Sequence, residues 1–382
     1  MRPVALVTGL SGVLGGSAAP LLTSSFEVIA LTGRRAPQAD CEQVTIDLRA
    51  PRLGLAPDIL ALLAKRADVI VHMAGSVDYS ASPQQLHAVN EAGAAEMVAL
   101  AEAADCPLVS VSTAFAARHA QAPREAAAAT ATSARPAAYH RSKAAADERV
   151  RACRGPHTIV RPSIVMGDSR DGSMPELQNM HRMVALLAGG PTAMFGHPDH
   201  LVDMVPRDHV ARAVHRLAQD AVDGRPLPAE FWATAGPAAL TMRQWTQVVV
   251  ERLARAGRPV APPLHLDPFE VALTDHPDWD RLPRAARRGM ATLWVSTLAL
   301  AEDHFPTSLT DLDRHDPPHP GRPAHTVDGH GGFDNDRARA LFAADVDWLL
   351  DRTPMPRPRT QRTTPGPAPH RPTPAHTVRE RA

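Results

Sequence analysis

The chain has two tyrosines, Tyr79 and Tyr139, and two lysines, Lys65 and Lys143, among 382 residues. One of each falls in the stretch Tyr139-His140-Arg141-Ser142-Lys143. In a chain this poor in both types, chance places a Tyr-x-x-x-Lys with a probability of about 0.01. Residues 137–154 are rich in alanine and arginine and predict a helix. On a helix, positions i and i+4 share one face. A phenol beside an ammonium has an acid–base use: the cation favours phenolate and lowers the tyrosine pKa from about 10 towards neutrality, so the hydroxyl can exchange a proton with a reacting oxygen. The plainer alternative is a tyrosine packing its ring under a snorkelling lysine, and the scarcity of both residue types weighs against it.

Elements that could position such a pair precede it. Residues 4–8 are a short apolar β run ending in Gly9-Leu10-Ser11-Gly12-Val13-Leu14-Gly15. Glycines there permit a sharp turn and close approach to a pyrophosphate. Backbone N–H groups of residues such as Ser11 and Val13, at the start of the next helix, would bind phosphate oxygens. Pro20 predicts that this helix is short or kinked. A second strand, 28–31, leads to Arg34 and Arg35, where an NAD site would carry an acidic residue. Two guanidiniums suit a 2′-phosphate instead, although solvated surface arginines are an alternative. Strand 44–46 ends at Asp47 and Leu48, read as an adenine contact. Strand 68–72 ends at His72-Met73-Ala74-Gly75, where small residues let backbone pass close to a cofactor. Strand 108–112 runs into Thr113, and strand 158–162 ends at Pro162, which joins the cofactor contacts. Helices at 55–66 and 84–104 complete the alternation, which specifies βαβ units and a parallel sheet with ligands at its carboxyl edge. Within that frame Tyr139 would protonate a carbonyl oxygen as hydride reaches carbon. Thr113 would hydrogen-bond the developing oxyanion, and Lys143 would hold the nicotinamide ribose.

Acidic and basic residues balance at 41 each, so no nucleic acid partner is expected. No run is apolar and long enough to span a bilayer, and three scattered cysteines suit a reducing, cytoplasmic setting. Met166, Met174, Met180, Met183, Met194 and Met204 crowd one stretch; they could line an adaptable apolar pocket or fill a second core. Capping signatures at Thr241, Asp267 and Asp334 predict later helices. His315, His319, His325 and His330 lie irregularly among prolines, so no metal is expected. The expected fold class is α/β: a Rossmann doubly wound parallel sheet over 1–165, rejoined near 202–235. A smaller, largely helical C-terminal substrate-binding domain follows over 166–350, then a disordered Pro/Arg-rich tail over 352–382.

The motifs TGLSGVLG, HMAG, VSTA and YHRSK stand in the order of the extended short-chain dehydrogenase/reductases, over about 340 residues, and the chain resembles that family. Asp47-Leu48, Arg52-Leu53-Gly54-Leu55, Gly75-Ser76-Val77-Asp78-Tyr79 and the run from Arg161 to Ser169 resemble the branch of thioester reductase domains, carboxylic acid reductases and fatty acyl-CoA reductases. The resemblance aligns Gly9, Gly12 and Gly15 with the family's glycine loop, Thr113, Tyr139 and Lys143 with its catalytic trio, and Arg34 with its NADPH-selecting arginine. It implies NADP(H) ahead of NAD(H), and an acyl thioester or the derived aldehyde as a small, apolar carbonyl substrate. CoA or a separate carrier protein would present the thioester, and a homodimer stays open. Two other readings stay open: a ketone reductase or nucleotide-sugar epimerase of the same superfamily, and a non-catalytic cofactor-binding scaffold.

Overall fold

The computed structural model describes residues 2–33, 35–121, 136–309 and 333–355. The apolar runs read from the sequence become parallel strands: β1 (Val4–Thr8), β2 (Glu27–Thr32), β3 (Glu42–Thr45), β4 (Val69–His72), β5 (Leu108–Val111) and β6 (His157–Pro162). An edge strand, Glu230–Ala233, pairs with β6 and completes a seven-stranded sheet. From that edge strand the order is β6-β5-β4-β1-β2-β3, all parallel. The crossover direction reverses between β1 and β4, which opens a crevice at their carboxyl ends.

Alternation along β1 explains the two-sided burial. Ala5 and Val7 join Val71, Val109 and Val160 under the helices Gly15–Ser25 and Arg207–Val222. Leu6 faces the other way, with Ile29, Ile70, Leu108 and Ile159, under Pro57–Arg66, Ala92–Ala104 and Pro136–Arg151. The first helix, expected to be short or kinked, spans 11 residues. It runs through Pro20, which is exposed like Gly16, so water can reach the Gly16 carbonyl that the missing proline N–H leaves without a helical donor.

A second core forms beyond the sheet. Met166, Met180, Met194 and Met204 are buried there with Trp245, Phe342 and Val346. The methionines therefore fill a core and do not line an open pocket. Thr241 caps its helix (Met242–Arg255) with a reciprocal Gln244 bond, and Asp334 caps Asn335–Arg352. Asp267 differs from expectation: Phe269 N–H donates to its carboxylate, but only a turn forms. Ala272 is already in extended backbone (ψ 151°), so the run from Pro268 breaks after a single turn. Met355 packs into the second core and its carbonyl accepts from Arg258 (3.0 Å), so a boundary at Arg352 is too early. The histidines 315–330 and residues 356–382 lie outside the described residues. No helix among the described residues is long and apolar enough to cross a membrane.

Candidate active site

The glycine loop leaves β1 into the crevice. Gly9 has φ +83°, and a Cβ there would lie 2.6 Å from Ala74 N. A Cβ on Gly15 would lie 1.9 Å from the Leu10 carbonyl oxygen, so the helix start packs at backbone distance. Gly12 is exposed and Ser11 and Val13 are half-buried beside it. A loop with no side chains in its way, opening a helix N-terminus at the switch point, fits the pyrophosphate of a dinucleotide. Thr8 fixes the neighbouring strand end: its Oγ1 accepts from Ala74 N–H (3.2 Å) and shares a 2.8 Å hydrogen bond with His72 Nδ1. His72 is buried, which with nearby Lys143 pushes its pKa down to about 3 and keeps it neutral.

Tyr139, Lys143 and Asp147 recur every four residues along the Pro136–Arg151 helix and are all buried. The Thr113 side chain approaches the Tyr139 hydroxyl closely enough to hold the phenol pKa down in part. Thr113 Oγ1 also donates to the Pro162 carbonyl (3.4 Å), which ties the ends of β5 and β6 together. Lys143 Nζ donates to the Val111 carbonyl at 3.0 Å. A Cβ on Gly75 would stand 3.5 Å from Lys143 Nζ and 3.1 Å from Asn90 Oδ1. The loop after β4 thus passes close to the lysine.

The expected lowering of the phenol pKa by Lys143 does not occur. Burial raises the Tyr139 pKa, with a smaller rise from Asp147; the Thr113 side chain opposes it in part. Burial also lowers the Lys143 pKa, which Asp147 opposes and Arg161 reinforces. Desolvation outweighs attraction within the pair. At neutral pH Tyr139 is a protonated phenol aimed at Thr113.

Several participants were given no role from the sequence. Asn90 sits in a π-turn, His87–Glu91, within the helical run that starts at Pro83. Its Oδ1 accepts from Ser76 N–H (2.8 Å), and its Nδ2 donates to the Ser76 carbonyl (3.1 Å) and to Ser142 Oγ (2.9 Å). Arg161, buried, donates to Asp147 (2.8 Å), to both oxygens of Glu230 (2.9 and 2.8 Å) and to the Thr113 carbonyl (3.3 Å). Asp147 stands one helical turn beyond Lys143, so its spacing was a usable signal. Glu230 had none. Tyr79 packs against Tyr139 (5.4 Å between ring centres), with Leu86, Ala81 and Ala138 around them.

The residues expected to make the outer cofactor contacts are less closely joined to this centre. Asp47 makes a bidentate pair with Arg49 (2.9 Å each), and Leu48 covers Gly93. Arg35 is exposed and stands 3.9 Å from Glu176 across the crevice rim. Arg34 lies outside the described residues.

Residues 25–214 match the family described as Male sterility protein. Over those residues the chain carries a male-sterility-type NAD-binding domain. The match supports an NAD(P)-dependent oxidoreductase. No curated protein matches it in sequence. Among solved structures, it is similar to the terminal R domain from the myxalamid PKS-NRPS biosynthetic pathway: 18% identity, TM-score 0.66, covering 94% of this chain and 93% of that one. The reductase (R) domain of a nonribosomal peptide synthetase from Mycobacterium tuberculosis is similar over 92% of each chain, with 21% identity and TM-score 0.58. UDP-N-acetylglucosamine 4-epimerase from Methanobrevibacter ruminantium M1 shares the fold at TM-score 0.51 and 15% identity, over 78% of this chain and 99% of that one. At these identities the likeness is one of fold.

Proposed function

We propose that the protein reduces an acyl thioester, presented on CoA or a carrier protein, or the derived aldehyde, with NADPH as reductant. The reading rests on the buried Tyr139 hydroxyl, close to Thr113 and on one helix face with Lys143, beside the glycine loop. The reduced nicotinamide supplies the hydride when bound. Thr113 holds the carbonyl oxygen and Tyr139 gives it a proton, so carbon gains hydride as oxygen gains H⁺. A thioester then yields a hemithioacetal, which releases thiol to leave aldehyde; an aldehyde yields alcohol. A phenol with a raised pKa starts in the acid form, which is the form a reduction consumes. Lys143, beside Gly75, would hold the ribose while its bond to Val111 fixes its direction. Tyr79, Ala81, Leu86 and Ala138 around Tyr139 favour an uncharged acyl or carbonyl group.

NADPH is preferred in this reading because Arg34 and Arg35 follow β2 with no acidic residue between them and the strand. NADPH oxidation against a panel of acyl-CoAs, aldehydes, ketones and sugar nucleotides tests the substrate class. Turnover confined to ketones or sugar nucleotides would replace the thioester reading with the other branch of the superfamily. Arg34→Ala should weaken NADPH binding about ten- to a hundredfold and leave NADH nearly unchanged; equal wild-type affinities for the two would refute the arginine reading.

A further inference from the structure

Away from this site, two histidines and a glutamate converge. The turn between the short strands Ala193–Phe195 and Leu201–Val202 carries His197 and His200. Its geometry is set by backbone: Gly196 has φ +136°, and His200 N–H donates to the His197 carbonyl (3.2 Å). The start of the Met242–Arg255 helix holds the turn from outside, Met242 N–H to the His200 carbonyl (2.8 Å) and Arg243 N–H to the Pro198 carbonyl (2.9 Å). Leu201 then forms an antiparallel bridge with Ala301, its N–H donating at 2.8 Å. In an antiparallel register the residues flanking a bridged pair also oppose each other, so Glu302 faces His200. The imidazole rings of His197 and His200 have centres 4.6 Å apart. One ligand atom from each of His197, His200 and Glu302 lies within 4.8 Å of the other two.

We propose that His197, His200 and Glu302 form a binding site for a borderline divalent transition metal such as Zn²⁺. Two imidazoles and one carboxylate are a ligand set that zinc takes, with water in the fourth position. Bonds of about 2.1 Å hold tetrahedral ligands about 3.4 Å apart. The three groups close to that spacing through side-chain torsions, because the turn and the bridge already fix the backbone. A second observation points the same way. His200 Nδ1 is buried and has no hydrogen-bond partner, a cost that a metal bond would remove. The nearby carboxylates are already engaged: Asp199 pairs with Arg243 (3.3 Å) and Asp267 accepts from Phe269 N–H (2.9 Å).

An ion here would anchor the start of the segment 302–309. That segment carries Phe305 against Phe115 and Trp232, and Phe115 stacks on His140 beside Tyr139. The ion's part is therefore structural, bracing a strap that runs towards the floor of the active site.

Isothermal titration of Zn²⁺ into untagged, chelator-stripped full chain should give one saturable site in the micromolar range or tighter, with a rise in melting temperature. Co²⁺ should bind competitively and show the visible bands of a four-coordinate N/O site. His197→Gln and the exposed Glu302→Gln should each weaken binding at least about tenfold, while their metal-free melting temperatures stay at the wild-type value. Absence of saturable micromolar binding would overturn the proposal. So would binding that survives both substitutions, because the ion would then sit elsewhere on this histidine-rich chain.

Discussion

Replacing Tyr139 by Phe separates chemistry from architecture. The ring is buried against Tyr79, Leu86 and Ala138, and phenylalanine keeps that packing. Only the hydroxyl is lost, and Thr113 retains its bond to the Pro162 carbonyl. The stability cost is therefore that of one neutral buried hydrogen bond, about 1 kcal/mol, or a melting shift of about 1–2 °C in a chain of this size. The rate cost is that of a missing general acid, about 10²–10⁴-fold, or about 3–5 kcal/mol in activation free energy. NADPH affinity by fluorescence titration should stay within about twofold, since the cofactor's grip lies in the glycine loop and Lys143. Single-turnover hydride transfer measures the rest. Turnover within about tenfold of wild type, or affinity that falls as far as turnover, would refute the assignment. The pH profile offers a second check. Because burial raises the phenol pKa, kcat for reduction should stay flat on the alkaline side up to about pH 10. A fall near neutrality would mean that Lys143 depresses the phenol after all.

Three further outcomes follow from named contacts. Asn90→Ala removes three hydrogen bonds and leaves Ser76 and Ser142 groups with fewer partners, so denaturant unfolding should show a loss of about 2–3 kcal/mol, with NADPH affinity reduced as the Gly75 loop loosens. His72 is neutral when folded down to about pH 3 but protonates near its ordinary 6.5 when unfolded, so the unfolded chain binds the extra proton and stability falls as pH drops through that window. His72→Gln should flatten that dependence by about 1.4 kcal/mol per pH unit, and an unchanged slope in urea titrations at a series of pH values would refute the burial argument. Deleting residues from Thr353 onward removes the buried Met355 and should cost about 1.5–3 kcal/mol, whereas deletion starting at residue 356 keeps that contact and serves as the comparison in thermal melts.

Much of this site was legible because its signals are local. The Tyr139–Lys143 spacing needs only a helix, and Gly9, Gly12 and Gly15 need only the strand before them. Non-local signals left no such trace. A π-turn at Asn90 adds one residue to a helical turn without changing composition, and the Arg161 network needs partners at 147 and 230 on separate elements. The methionines between 166 and 204 have the same composition in a core as in a pocket; only their packing around Trp245 and Phe342 decides between them. The acid–base pair shows where the boundary lies. Spacing predicts that Tyr139 and Lys143 are neighbours, and Coulomb attraction alone would then lower the phenol pKa. Whether it does depends on how completely water is removed, and on which third groups approach: Asp147 from the same helix, Arg161 from β6 and His72 from β4. Those are properties of the assembled sheet, so the shared helix of Tyr139 and Lys143 could be read from five residues, while the sign of the phenol's pKa shift required the fold.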